Sequence, residues 1–148
     1  MNRHVIDASV IVKWYIEEND SDKADSIRTG FVKKEIELLC PSLLPFEVLN
    51  ALRYSGLFNK GDLKKAGESL ENYPFTYHAI SGEHQARMLE LAMDHDFSIY
   101  DAAYIALAMK EKIKLLTADD KIKKKLPDKL KGTVMMLSEI SLPISEEK

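Results

Sequence analysis

Four acidic residues in this sequence adjoin apolar segments, where burying a carboxylate costs free energy unless a partner uses its charge. Two of them follow short apolar segments, and the other two stand near the start of apolar segments with helical spacing; they are Asp7, Asp119, Glu47 and Asp101. Converging carboxylates repel one another and their pKa values rise unless cations neutralise them. Their types and positions therefore point to chemistry that depends on divalent cations.

Parallel α/β sheets supply one edge at which such residues can meet. Val5 and Ile6 predict a buried strand that Asp7 ends, and Leu115 and Leu116 predict another that ends at Asp119. In a right-handed α/β sheet, the strand ends and the starts of the following helices lie along the same edge. Each acid also has a simpler interpretation, as a turn or cap residue or as a helix-start acid that complements the helix dipole.

The donor atoms decide which cation is expected. Cys40 is the only cysteine, and the four histidines show no metal-ligand spacing. Carboxylate oxygens without thiolate or imidazole partners favour Mg²⁺ or Mn²⁺ over Zn²⁺. The natural reaction for such a site is hydrolysis of a phosphodiester, with one cation activating water and another stabilising the leaving oxygen.

Composition is typical of one globular domain. The chain has 148 residues, 45% hydrophobic and 30% charged, and a formal net charge of −3. No apolar run reaches the roughly 18 residues of a membrane span, and no signal peptide is recognisable, so we expect a cytoplasmic protein without a membrane partner. Positive charge is concentrated between Lys110 and Lys131, where nine lysines accompany four acids. This lysine-rich segment either holds phosphates or is a solvated surface.

Strands and helices alternate along the chain, which predicts a mostly parallel sheet covered by helices. Among the predicted helices are 9–18, with Ser9 as its cap, and 42–58, with Tyr54 among its core-facing residues. Helix follows helix without a strand over about 42–72, which we interpret as a helical elaboration of a single domain, 1–141. Residues 142–148 are expected to form a loose polar tail.

Four motifs in this order resemble those of the PIN-domain ribonucleases, and most closely those of the VapC toxins of toxin–antitoxin pairs. They are Val5-Ile6-Asp7-Ala8-Ser9-Val10, Pro45-Phe46-Glu47-Val48-Leu49-Asn50-Ala51-Leu52, Tyr100-Asp101-Ala102-Ala103-Tyr104-Ile105-Ala106-Leu107-Ala108 and Leu115-Leu116-Thr117-Ala118-Asp119. The resemblance runs from about residue 4 to residue 137.

This resemblance implies a three-layer α/β/α fold with a central parallel sheet and a small helical protrusion. It implies an Mg²⁺- or Mn²⁺-dependent endoribonuclease, commonly a homodimer, that acts on RNA and is paired with an antitoxin protein. Asp7 and Asp101 would be the direct metal ligands, and Glu47 and Asp119 would complete the acidic pocket directly or through water. Ser9 and Thr117 match hydroxyl positions that support the acids by hydrogen bonds.

Two other interpretations remain open from the sequence. A receiver-like or haloacid-type phosphoryl-transfer domain also places an Asp at the end of its first strand, but Asp7 lacks the second acid that those sites require nearby. Alternatively, the chain has a PIN fold that keeps its acids but serves as an RNA- or partner-binding module with little catalysis.

Overall fold

The computed structural model describes residues 2–141 and is built on a single five-stranded sheet. The strands are β1 (Asn2–Ile6), β2 (Ile36–Pro41), β3 (Thr76–His78), β4 (Lys114–Thr117) and β5 (Val134–Met136). The helices are α1 (Ala8–Ile11), α2 (Ser21–Val32), α3 (Leu44–Tyr54), α4 (Lys60–Asn72), α5 (Gly82–His95), α6 (Ile99–Glu111) and α7 (Asp120–Lys125). Short 3₁₀ segments cover Val12–Trp14, Asp128–Thr133 and Leu137–Glu139.

All strand pairs are parallel, and their spatial order is β3-β2-β1-β4-β5. The chain moves from β1 outward to β2 and β3, then crosses to β4 and moves outward in the opposite direction to β5. Right-handed crossovers in opposite directions place their helices on opposite faces of the sheet, so α1–α4 cover one face and α5–α7 the other. The predicted α/β/α architecture with a parallel sheet is confirmed, and its strand order reverses between β1 and β4.

Helix α6 lies at the centre of the core. Every residue from Ala102 to Ala108 is buried, and the helix packs against β1, β2, β4 and α5. A helix that is apolar on all sides is stable only when neighbouring elements bury its surface, and here the sheet and α5 bury it. This enclosure fixes the first turn of α6, which carries Asp101, against the carboxyl ends of β1 and β4.

Helices α3 and α4 follow one another with no strand between them. Asn59 caps α4 through a reciprocal pair of hydrogen bonds with Asp62. Leu52 of α3 and Leu70 of α4 are buried, and the two helices pack together. The extent of the domain and of this elaboration stay predictions, and the predicted tail at 142–148 lies outside the described residues.

Three local predictions were wrong. The helix predicted for 9–18 changes to a 3₁₀ turn at Val12 and ends at Trp14, whose indole N–H donates to the Ala24 carbonyl. Its cap is Asp7, which accepts a hydrogen bond from the Ser9 backbone N–H, because Ser9 already lies inside the helix. Tyr54 is exposed, with its ring against Arg53, because it stands at the end of α3.

The helices within residues 2–141 are too short or too polar for any of them to cross a membrane.

We expect the enclosure of α6 to dominate the stability of the chain. Leu107 is fully buried, so Leu107→Ala should lower the free energy of unfolding by about 2–5 kcal/mol through lost contacts and a residual cavity. The same substitution at Leu57, which is 67% exposed, should change it by less than about 0.5 kcal/mol. Urea unfolding measures both, and equal effects would contradict the placement of α6 in the core.

Candidate functional site

The candidate site lies where the strand order reverses, at the carboxyl ends of β1 and β4. Asp7 directly follows β1, and its backbone N–H donates to the Leu116 carbonyl of β4. One residue separates Asp119 from the end of β4, and Asp119 caps α7, because its Oδ1 accepts a hydrogen bond from the Lys121 backbone N–H at 3.0 Å. Ligands in open α/β sheets bind in the crevice at this kind of reversal.

Two hydroxyl groups fix the Asp7 carboxylate between the strands. Ser9 Oγ donates to Asp7 Oδ1 at 2.5 Å, and Thr117 Oγ1 donates to Asp7 Oδ2 at 2.5 Å. The two hydroxyl oxygens in turn accept hydrogen bonds from backbone N–H groups just after β4. The Ala118 N–H donates to Ser9 Oγ, and the Asp119 N–H donates to Thr117 Oγ1. The hydroxyl contacts that the resemblance implied for Ser9 and Thr117 are confirmed.

The free lone pairs of Asp7 limit how it can bind a cation. A carboxylate offers about four lone-pair positions. Oδ1 accepts from both the hydroxyl and the backbone N–H of Ser9, whereas among residues 2–141 Oδ2 accepts from Thr117 alone. Oδ2 is therefore the atom through which Asp7 has a lone pair left for a cation.

Burial governs the protonation of Asp7. The residue is 6% exposed, and desolvation raises the pKa of its carboxyl from the ordinary 3.8 to about 6. The hydrogen bonds from Ser9 and Thr117 oppose this rise, while the charge of Asp101 adds to it. The pKa of Asp7 thus reports both a buried position and a neighbouring carboxylate.

Glu47 reaches the site from the first turn of α3 and is held by a tyrosine. Tyr104 Oη donates to Glu47 Oε1 at 2.7 Å, and Tyr104 itself is only 2% exposed. Burial raises the pKa of the Glu47 carboxyl, the Tyr104 hydrogen bond opposes the rise, and the charge of Asp101 adds to it. Glu47 and Asp101 are therefore close enough to interact electrostatically.

Asp101 is the acid that links the other three. It lies in the first turn of α6, where Ser98 caps the helix by accepting from the Asp101 backbone N–H. Burial and then the charge of Asp119 raise the pKa of the Asp101 carboxyl, whereas the Ser98 hydrogen bond and Lys125 lower it. Since Asp101 also raises the pKa values of Asp7 and Glu47, all four predicted acids belong to one electrostatic group.

These acids do not form a preassembled metal cage. Nowhere in the described range 2–141 do three or more carboxylate, imidazole or thiolate groups converge closely enough to hold an ion. The Tyr104 contact of Glu47 and the helix cap of Asp119 each engage one carboxylate oxygen. The donor set nevertheless fits Mg²⁺ or Mn²⁺, because every donor is a carboxylate or hydroxyl oxygen.

The sequence interpretation missed two contributors to this site. Tyr104 stands three residues after Asp101, on the same face of α6, and a phenol in an otherwise apolar buried helix needs a polar partner. That signal was present in the sequence. Lys125, which lowers the pKa of Asp101, donates to the Asp96 carbonyl and lies over the Phe97 ring. No local sequence pattern predicts these contacts.

Lys13 and two lysines of the lysine-rich segment have acidic partners. Lys13 pairs with Glu18 at 3.4 Å, Lys123 with Glu139 at 3.0 Å and Lys124 with Asp120 at 3.0 Å. Asp120 is exposed and is engaged by Lys124, outside the acidic group. The role of the lysine-rich segment in binding phosphates stays a prediction.

Comparison with known proteins identifies relatives of the whole domain. The model of the PIN domain family matches residues 4–125. Ribonuclease VapC3 of Pyrobaculum aerophilum is 33% identical over 130 residues, which cover 83% of this chain and 94% of that protein.

Two solved structures share the fold at low sequence identity. A toxin–antitoxin complex from Klebsiella pneumoniae aligns with a TM-score of 0.65 at 15% identity, covering 93% of this chain and 99% of that one. Mycobacterium tuberculosis VapC20, a toxin that cleaves the sarcin–ricin loop, aligns with a TM-score of 0.63 at 14% identity, covering 81% and 92%.

The raised pKa of Asp7 predicts a specific dependence of stability on pH without metal. The native carboxyl binds its proton more tightly than the unfolded one, so this contribution to stability is greatest below pH 3.8 and is lost as the pH rises to about 6. The loss amounts to about 3 kcal/mol at most. Asp7→Asn should remove it, so the difference in unfolding free energy between variant and wild type should grow in favour of the variant across this range.

Urea unfolding in EDTA from pH 4 to 7.5 measures that difference. A difference that stays constant with pH would contradict the burial of an ionisable Asp7.

Proposed function

This chain belongs to the PIN domain family, and on that premise we propose that it is a metal-dependent endoribonuclease that hydrolyses RNA phosphodiester bonds. The proposed site consists of Asp7, Glu47, Asp101 and Asp119, and the proposed cofactor is Mg²⁺ or Mn²⁺. We further propose that the protein is the cytoplasmic toxin of a toxin–antitoxin pair. Its 33% identity to a ribonuclease of the VapC group supports this reaction class.

One observation carries the proposal: Asp101 is electrostatically coupled to each of the other three acids across the β1–β4 reversal. Asp101 raises the pKa values of Asp7 and Glu47 there, and the charge of Asp119 raises that of Asp101, with burial the larger cause at each of the three. A fold gains no stability from like charges in one crevice, since each ionised neighbour disfavours the next. A divalent cation bound among these acids would reverse that penalty.

Each of the four acids has its own role in holding the cation. Asp7 supplies Oδ2, held in place by Thr117, and Asp101 supplies a carboxylate fixed by the buried α6. Glu47, oriented by Tyr104, and Asp119, oriented by its helix cap, complete the site directly or through water. When bound, the metal supplies an activated water and charge stabilisation for the leaving oxygen.

The proposed antitoxin partner has a suitable surface beside this site. A groove of about 960 Å³ lies between α3 and α4, and its walls include Phe46, which is 76% exposed and adjacent to Glu47. Leu49 and Leu63 add apolar surface, and Lys60 and Lys64 add positive charge. An amphipathic antitoxin segment with acidic flanks fits both features.

The proposed homodimer rests on the family and on one exposed apolar surface. Leu89 and Met93 lie one turn apart on α5 and are 44% and 83% exposed. Ile99 and Tyr100 are exposed at the start of α6, which packs against α5. Apolar side chains left open on two packed helices are the kind of surface that a second copy covers.

Cleavage of RNA tests the nuclease proposal. Purified protein should cut a pool of structured RNAs with Mg²⁺ or Mn²⁺ and not with EDTA. Asp7→Asn and Asp101→Asn should each reduce the rate by at least about 100-fold, because each removes a charge that holds the cation. Asp120→Asn is the matched control, since Asp120 is exposed and pairs with Lys124, and it should cut at the wild-type rate.

Cutting by either site variant at the rate of the control would refute the site. If the wild type neither cuts any RNA nor binds Mn²⁺, the chain is a binding module with a PIN fold, and the nuclease proposal is wrong.

A further inference from the structure

A second cavity, of about 520 Å³, opens at the other edge of the sheet, where the strands begin. Its lining comes from the start of β1, the turn between α6 and β4, the turn before β5, and the outer face of α5. Arg3 lies in β1 at this edge, and Asp7 directly follows β1 at the opposite edge. Their separation of four positions corresponds to about 13 Å along the strand direction. The cavity is therefore separate from the acidic site.

Among the described residues, five cationic side chains line this cavity and no carboxylate does. They are Arg3, Arg87, Lys112, Lys114 and Lys129. Arg3 is already paired, with Glu37 at 3.0 Å and with Glu111 at 3.6 Å. The other four have no ion pair within the part of the chain that the structure describes, whereas Lys123, Lys124 and Lys131 in the same lysine-rich segment do.

The helix dipole does not account for this concentration of charge. Lys112 ends α6, and a cation there complements the negative end of the helix. Arg87, Lys114 and Lys129 come from three other elements and have no helix terminus to complement. Glu90 and Asp94 line an adjoining cavity that shares Arg87 and Lys129, but they do not line this one.

Apolar side chains form the remaining wall. Ala108, Met109 and Ile113 line the cavity between the cations. Unpaired cations converging on a concave surface repel one another, and a polyanion relieves this repulsion through charge-assisted hydrogen bonds. An apolar wall beside them offers a surface for the sugar or base attached to a phosphate. The volume lies within the range of small-molecule sites.

We propose that this cavity binds a phosphate-bearing ligand, with Arg87, Lys112, Lys114 and Lys129 on its phosphates. The phosphates belong either to a free nucleotide or polyphosphate or to an RNA strand that extends beyond the acidic site. The proposal does not depend on catalysis.

Binding in EDTA tests the cavity without the metal site. The probes are inorganic tripolyphosphate, followed by calorimetry, and a fluorescent single-stranded RNA, followed by anisotropy. Lys114→Gln combined with Lys129→Gln should weaken binding of at least one probe by about tenfold or more, since each substitution removes a charge-assisted hydrogen bond to a phosphate. Lys33→Gln combined with Lys65→Gln removes the same charge at exposed positions outside the cavity and should leave affinity within about twofold.

The two probes identify the source of the phosphate. A selective loss for tripolyphosphate indicates a free phosphorylated ligand, and a selective loss for RNA alone indicates the strand. If the two double variants behave alike with both probes, the proposal is overturned and these cations are only solvated surface. Because no cleavage is measured, this result is independent of whether the chain is a nuclease.

Discussion

The geometry of the candidate site depends on one buried carboxylate at the place where the strand order reverses. Asp7 links the carboxyl ends of β1 and β4, because the hydroxyls of Ser9 and Thr117 donate to its two oxygens. These hydroxyls also accept hydrogen bonds from the backbone N–H groups of Ala118 and Asp119. The same bonds orient Asp119 beside α7. A buried anion is tolerated only when it is hydrogen-bonded or paired, and the hydroxyls of Ser9 and Thr117 supply those hydrogen bonds to Asp7.

The chain places opposite charges at opposite edges of the same sheet. The carboxyl edge carries the four acids coupled through Asp101, and the amino edge carries cations from several elements around a cavity. Net charge conceals this separation, since the whole chain has a formal charge of only −3. Steering of a phosphate-rich molecule depends on such local fields, and the lysine Lys125 close to Asp101 shows that positive charge also reaches the acidic edge.

The sequence predicted those features that follow from local pattern. Apolar segments ending in an acid identified β1 and β4, and the uniformly apolar segment after Asp101 identified the buried α6. Features that depend on distant partners could not be read in this way. Tyr104 donates to Glu47, which is 57 positions away in the sequence, and Lys123 donates to Glu139, which is 16 positions away. The sequence of the lysine-rich segment therefore could not show which of its lysines are paired. The cap at Asp7 was misassigned to Ser9 because both residue types cap helices and only backbone geometry separates them.

We propose that the four acids share one cation site, and the position of a bound Mn²⁺ ion tests this. Crystals grown with Mn²⁺ and measured for anomalous scattering should show a peak bonded to Asp7 Oδ2 and to the Asp101 carboxylate, with Glu47 and Asp119 beside it directly or through water. The same peak should be absent from crystals of Asp7→Asn. A Mn²⁺ peak bonded to other residues, or none near these acids at saturating Mn²⁺, would contradict the account.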